Sequence, residues 1–142
     1  MPSTVRMSIF DHVTLVVSDY RRSKAFYEKA LAPLGIAPIM DFGQACGFGR
    51  SGKPELWMGA GPSSYQRAEH LRVITPTHIA FAAGSRGEVD AFHAAALAAG
   101  ARDFGAPGLR ADYHPNYYGA FVLDPDGHDI EAVFHGDLPT KL

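Results

Sequence analysis

The sequence predicts an α+β fold built from two paired βαβββ modules, and three observations carry that prediction. The strand-like run Ile9 to Val17 (IFDHVTLVV) leads into an amphipathic helical pattern that ends at Leu34, and the same order returns with Thr77 to Ala83 (THIAFAA) and a helical stretch closed by Gly100. Each half ends on a strand that opens with glutamate, ELWMG from Glu55 and EAVFH from Glu131. Between the halves the text turns polar and rich in Gly, Pro and Ser (GAGPSSYQRAEHLRVIT), as a linker or lid does. The expected organisation is one domain over residues 1–142, with a first module at about 8–60, a linker at about 61–75 and a second module at about 76–136.

The first strand sets Phe10, His12, Thr14 and Val16 on one face and Asp11, Val13, Leu15 and Val17 on the other, both apolar enough to be covered. Ser18 and Asp19 suit a helix N-cap, and Phe26, Tyr27, Ala30, Leu31 and Leu34 make one buried stripe. Pro33 and Gly35 stop that helix. Short strands follow at Ile36 to Met40, Gln44 to Phe48 and Glu55 to Met58, separated by Gly and Pro. In the second half Ser85 with Glu88 forms a capping box, and Val89, Phe92, Ala96 and Leu97 mark the buried stripe. A weak strand at Arg102 to Phe104 precedes a Gly/Pro/Tyr-rich segment, a strand from Tyr117 to Leu123, and the turn Asp124-Pro125-Asp126-Gly127 that leads into the closing strand. Alternation there points Glu131 with Asp129, Val133 and His135, away from Ile130, Ala132 and Phe134.

At 142 residues the chain has room for one substantial core, and 46% hydrophobic with 20% charged residues is ordinary globular composition. A net charge of -2 gives no reason to expect nucleic acid or an anionic membrane as partner, which leaves small neutral or weakly acidic molecules. Cys46 stands alone, so no internal disulfide can form; a reducing compartment, the cytoplasm by default, is expected. The opening MPSTVRMSIFDHV lacks the apolar run of a secretion signal, and no stretch reaches the ~18 apolar residues of a membrane span, so a soluble chain is expected.

His12 and His78 hold equivalent places in the repeat, 66 positions apart (78 minus 12). Modules packed about a pseudo-twofold axis would bring equivalent strand positions together, and two imidazoles with the Glu131 carboxylate suit a divalent transition metal, leaving open positions for water or substrate. Taken singly, each residue has a plain explanation: a strand histidine is ordinarily satisfied or half-exposed, and Glu55 after Pro54 is ordinarily solvated. His70, His93, His114, His128 and His135 read as bystanders on a loop, an exposed helix face, a Tyr-rich segment and turn-proximal strand ends, although His135 shares a face with Glu131. The run Arg110 to Tyr118 (RADYHPNYY) offers Arg110, Tyr113, His114 and Tyr118 as pocket walls, or else covers a sheet edge or a dimer contact.

These segments together, FDHVTLVVSD, AFYEKALAPLG, THIAFAA and YYGAFVLDPDGHDIEAV, resemble the vicinal oxygen chelate superfamily of glyoxalase I, extradiol dioxygenases, fosfomycin-resistance proteins and bleomycin-binding proteins. The resemblance spans nearly the whole chain and is most specific at DPDGHDIE. It implies a curved, half-open mixed sheet around a metal site, commonly in a homodimer. Carried over, His12, His78 and Glu131 fall on the metal-ligand positions and Glu55 falls near that of an additional glutamate ligand, with Trp57 on the same face as the alternative. The implied cofactor is a divalent Zn, Ni, Mn or Fe ion. The implied activity is that of a glyoxalase-like lyase or isomerase on a small substrate chelated through neighbouring oxygens, with Glu131 or its partner taking the proton. A bleomycin-resistance-like binding protein and a small extradiol-type dioxygenase are the alternatives. The chain departs from glyoxalase I in lacking a recognisable glutathione-binding set, from the larger dioxygenases in having one module pair, and from fosfomycin resistance in lacking its cation loop.

Overall fold

The structure, a computed structural model, describes residues 8–136; residues 1–7, part of the stretch searched for a secretion signal, and 137–142 lie outside the described residues. The first module runs β1 (Val13–Val16), α1 (Tyr20–Leu31), a 3-10 turn (Ala32–Leu34), β2 (Ala37–Asp41), β3 (Ala45–Gly49) and β4 (Leu56–Gly59). The second runs β5 (His78–Ala82), α2 (Arg86–Ala98), β6 (Arg102–Leu109), β7 (Tyr118–Leu123) and β8 (Asp129–Phe134). A short 3-10 helix (Ala68–Arg72) lies in the segment between them, where the sequence suggested no element. This is the α+β class that the sequence predicts.

Both helices begin where the side chains say they should. The Asp19 carboxylate accepts the Arg22 N–H at 3.1 Å, and the Ser85 hydroxyl accepts the Glu88 N–H at 3.1 Å, each satisfying a donor that has no partner within the helix. Gly35, at φ 75°, supplies the left-handed residue that ends the first helical segment.

The strands form two four-stranded mixed sheets, ordered β1-β4-β3-β2 and β5-β8-β7-β6, with β1 parallel to β4 and β5 parallel to β8. Leu15, Phe48, Leu56 and Met58 from the first sheet meet Val122, Ile130 and Ala132 from the second in one core, completed by Phe26, Tyr27 and Leu31 of α1 and Val89 and Phe92 of α2. Each buried Leu- or Phe-sized side chain is worth about 1.5–3 kcal/mol. With the apolar faces turned inward onto the helices, alternation turns the other face of each sheet outward.

β1 and β5 each pair on one side only, and each has its free edge capped by the opposite module. The His128 ring, in the β7–β8 connection, bonds the Val16 carbonyl at 2.8 Å, and the Arg50 guanidinium, in the β3–β4 connection, donates to the Ala82 carbonyl. The two capped carbonyls are repeat equivalents, since 16 plus 66 is 82. The edges of β1 and β5 thus run in opposite directions along an intermodule cleft of about 700 Å³, lined by Phe10, Val13, Phe48, Leu56, Ile79 and Phe81 among others.

Four expectations are corrected. The first strand begins at Val13, not Ile9, because β4 starts at Leu56 and offers no earlier partner; Ile9 and Phe10 are 95% and 66% exposed rather than covered. β6 extends through Gly105 and Pro107 to Leu109, absorbing two register shifts against β7 where the sequence suggested an irregular segment. Leu97 is exposed at the edge of its stripe. His93, expected on an exposed helix face, is 8% exposed, with Nε2 3.0 Å from Asp103 Oδ1 on β6.

Candidate functional site

The outward face of the second sheet gathers the polar groups. Register sets His78 opposite Asp129 and Ala80 opposite Glu131, so the His78 ring leans one pleat along to reach Glu131, with Nε2 and Oε1 2.9 Å apart. Its other nitrogen lies 4.0 Å from Asp129 Oδ2. Glu131 is 1% exposed, and burying a carboxylate costs several kcal/mol unless donors meet it. Two do: His78 at Oε1 and the Tyr117 hydroxyl, which donates to Oε2. Burial, and then the Glu131 carboxylate beside it, push the Tyr117 phenol well above its usual range, so it stays a donor. The carboxylate has room only because residue 119 is glycine; a Cβ there would lie 3.2 Å from Oε2.

The first sheet departs from the expected repeat of Glu55 with Glu131: Thr14 is opposite Trp57 as Ala80 is opposite Glu131, so Trp57 holds the place of Glu131 and Glu55, one pleat earlier, that of Asp129. Glu55 is anchored by its own backbone, with its N–H on the Phe48 carbonyl at 2.8 Å and its carbonyl accepting the Val13 N–H at 2.9 Å. Alternation puts its side chain with that of Trp57, whose indole stacks on Phe42 at 5.8 Å. His12, one residue before Val13 and so level with Glu55, is exposed with Nδ1 2.6 Å from Asp11 Oδ1.

Within one chain no three of His12, Glu55, His78 and Glu131 share a point: among the described residues the one set of three such donor groups within 4.8 Å is Asp124, Asp126 and His128. The opposed run of the β1 and β5 edges gives the reason. Val16 lies against the start of β8, the His78 end of the cleft, whereas His12 lies four residues back, roughly 13 Å along the strand at ~3.3 Å per residue. The Asp124 group is itself engaged in holding the fold. Asp124 Oδ1 accepts the Asp126 and His128 N–H groups at 2.8 and 2.9 Å, and Oδ2 accepts the Tyr27 hydroxyl. Asp126 accepts both the N–H and the hydroxyl of Ser18.

Of the Arg110 to Tyr118 candidates, Tyr118 faces α2, its hydroxyl donating to Asp90 at 2.6 Å beneath the Arg86 guanidinium. Its neighbour Tyr117 is the residue that meets Glu131, four residues back along the same strand face from Phe121, the observed cross-strand partner of Glu131. Tyr113, His114 and His135 box the Tyr117 ring edge-on at 4.7, 5.6 and 5.2 Å. The Asn116 N–H donates to His114 Nδ1, which leaves His114 Nε2–H to donate to His135 Nδ1 at 2.6 Å. Burial first, and then His114, hold the His135 pKa below its ordinary 6.5. A histidine kept neutral by the fold gives stability that is present above the unfolded value and lost as the pH falls from there through the lower folded value. Acidifying from about pH 7.5 to about pH 5 is therefore expected to lower Tm, and His135→Gln to flatten that dependence; an unchanged slope in differential scanning calorimetry would count against it.

Two duplicated βαβββ halves, with an imidazole–carboxylate pair set on an outward sheet face, define a recognisable class. The chain belongs to the Glyoxalase/Bleomycin resistance protein/Dioxygenase superfamily, which it matches over residues 9–132. It is similar to a glyoxalase/bleomycin resistance protein from Albidiferax ferrireducens, with 31% identity, 91% of this chain and 100% of that chain covered, and a TM-score of 0.74. Two more distant structures share the fold: a glyoxalase/bleomycin resistance protein/dioxygenase family enzyme from Burkholderia phytofirmans (19% identity, 89% and 98% covered, TM-score 0.66) and TioX from Micromonospora (15%, 91% and 100%, 0.67). No curated protein matches the chain. Among the described residues no helix is long and apolar enough to cross a membrane.

Proposed function

We propose that the protein is a metal-dependent enzyme of glyoxalase-like lyase or isomerase type, acting on a small substrate with neighbouring oxygens. Two copies would associate so that His12 and Glu55 of one copy complete the half-site of His78 and Glu131 in the other. The observation that carries this reading is the buried Glu131 carboxylate, held at both oxygens by His78 and Tyr117 on the outward face of the second sheet. The exposed Ile9 and Phe10, ahead of β1, support a homodimer, because large apolar side chains left open to water favour a second chain. The single cysteine favours a reducing, cytoplasmic setting, and the division into modules at about 8–60 and 76–136 belongs to the same proposal.

Two imidazoles and two carboxylates are a donor set that fits Zn, Ni, Mn or Fe. Such an ion, when bound, would favour negative charge on a substrate oxygen. The chain's own groups do the rest. Glu131, fixed at both oxygens, is placed to take a proton from a carbon next to that oxygen, and Tyr117 holds the carboxylate in one rotamer. The Trp57–Phe42 stack beside Glu55 supports a second reading, a binding protein that holds a flat ligand without turnover.

Elemental analysis of wild type, His12→Ala and His78→Ala proteins tests the first reading. Wild type is expected to carry about one ion per site and each variant to lose at least ~10-fold in metal affinity. Full occupancy in both variants would refute the ligand assignment, and tight ligand binding indifferent to chelators would favour the second reading.

A further inference from the structure

The geometry points to an oxyanion subsite at Arg110, which makes the substrate of the proposed site an organic anion rather than a neutral molecule. The Arg110 side chain lies back along β6 over Gly105 and Gly108, where a Cβ would come within 3.2 and 3.1 Å of its terminal nitrogens. Nη1 donates to the Gly108 carbonyl at 2.8 Å and Nη2 to the Ala106 carbonyl at 2.7 Å, which fixes the plane of the guanidinium. Its carbon sits 5.5 Å from the centre of the Phe121 ring. Among the described residues it makes no ion pair, so a half-buried positive charge is held rigidly and left without an anion. Of the five guanidinium donors, about three remain for a ligand, and the planar fork suits a carboxylate or phosphate.

The sheet register then gives the spacing. Phe121 is directly opposite Glu131 on one side and Gly105 on the other, so a carboxylate, a phenyl ring and a guanidinium follow one another across β8, β7 and β6, with His78 beyond on β5. At 4.7–4.9 Å per strand step, the cation stands about 10 Å from the Glu131 position. The ligand that fits is a small molecule with an oxyanion at one end, an apolar or planar middle lying on Phe121, and its reacting oxygens at His78 and Glu131. This rests on the reading of His78 and Glu131 as the reacting end.

The test uses the full chain, metal-loaded, titrated calorimetrically with 3-phenylpropanoate, with its neutral amide and with inorganic phosphate. The acid is expected to bind at least ~10-fold more tightly than the amide, to lose that advantage in Arg110→Met, and to keep part of it in Arg110→Lys, which retains the charge but not the fork. Phosphate is expected to bind more weakly than the acid, lacking the Phe121 contact. Acid and amide binding equally, the acid not binding, a preference surviving in Arg110→Met, or phosphate matching the acid would each overturn the proposal. Metal content separates it from the metal reading: Arg110→Met should keep wild-type metal, whereas a failure of the ligand assignment shows in His78→Ala whatever the acid does.

Discussion

Asp124→Ala is expected to destabilise the protein by about 3–5 kcal/mol, a large share of the 5–15 kcal/mol that holds a typical domain together. Asp124 is nearly fully buried, and its carboxylate serves two backbone N–H groups of its own turn and the Tyr27 hydroxyl from α1, itself fully buried. Alanine would leave all three donors without this partner, at about 1–3 kcal/mol for each that stays buried and less for the half-buried Asp126 N–H. The loss also releases His128, whose ring bonds the β1 edge, so the effect spreads from one turn to the contact between modules. Urea denaturation monitored by tyrosine and tryptophan fluorescence reads it directly. A midpoint shift equivalent to less than about 1 kcal/mol would mean that water or a rearranged turn replaces the bonds.

Gly49→Ala is expected to cost about 3 kcal/mol or more, at the upper end for overpacking. A Cβ at this position would lie 2.1 Å from the Lys53 carbonyl oxygen and 2.8 Å from Ile39 Cδ1, so backbone must give way. The strand that would move is β3, which pairs with β4 and receives the Glu55 N–H on Phe48, so on the proposed metal reading the variant should lose metal affinity as well as stability. Gly43→Ala is the control. Its φ of 83° carries the left-handed penalty of about 1–2 kcal/mol, but no atom lies within 4 Å of the added carbon. Equal Tm values for the two variants would rule out the steric account.

How much of this could be read in advance depended on whether the cause was local. The caps at Asp19 and Ser85, the Phe26–Leu34 stripe and the Asp124–Gly127 turn are set within a few residues, and their chemistry is written there. The pairing of His78 with Glu131 was also accessible, because the repeat and strand alternation place them on neighbouring strands of one face. Tyr118 and Tyr117 show where legibility stops: a shift of one residue moves a strand side chain to the opposite face, and only the observed register decides between them. Where the first strand begins, and which sheet faces lie together, depend on partners distant in sequence or on another chain. No periodicity within Ile9 to Val17 records that β4 starts too late to pair with Ile9.

The two cross-module caps bear on where such a chain could have come from. A lone βαβββ unit with the same layout would have both problems and both remedies in one piece: a first strand with a bare rim, and a hairpin loop long enough to cover somebody else's. It could not reach its own rim, because Arg50 and His128 each act on the other half. Such a unit would need a twin to cover its rim, and the segment of residues 60–77 supplies that twin within a single chain. The two locks are unlike, a guanidinium on the β5 rim and an imidazole on the β1 rim, so the two halves hold each other by different chemistry at matching places.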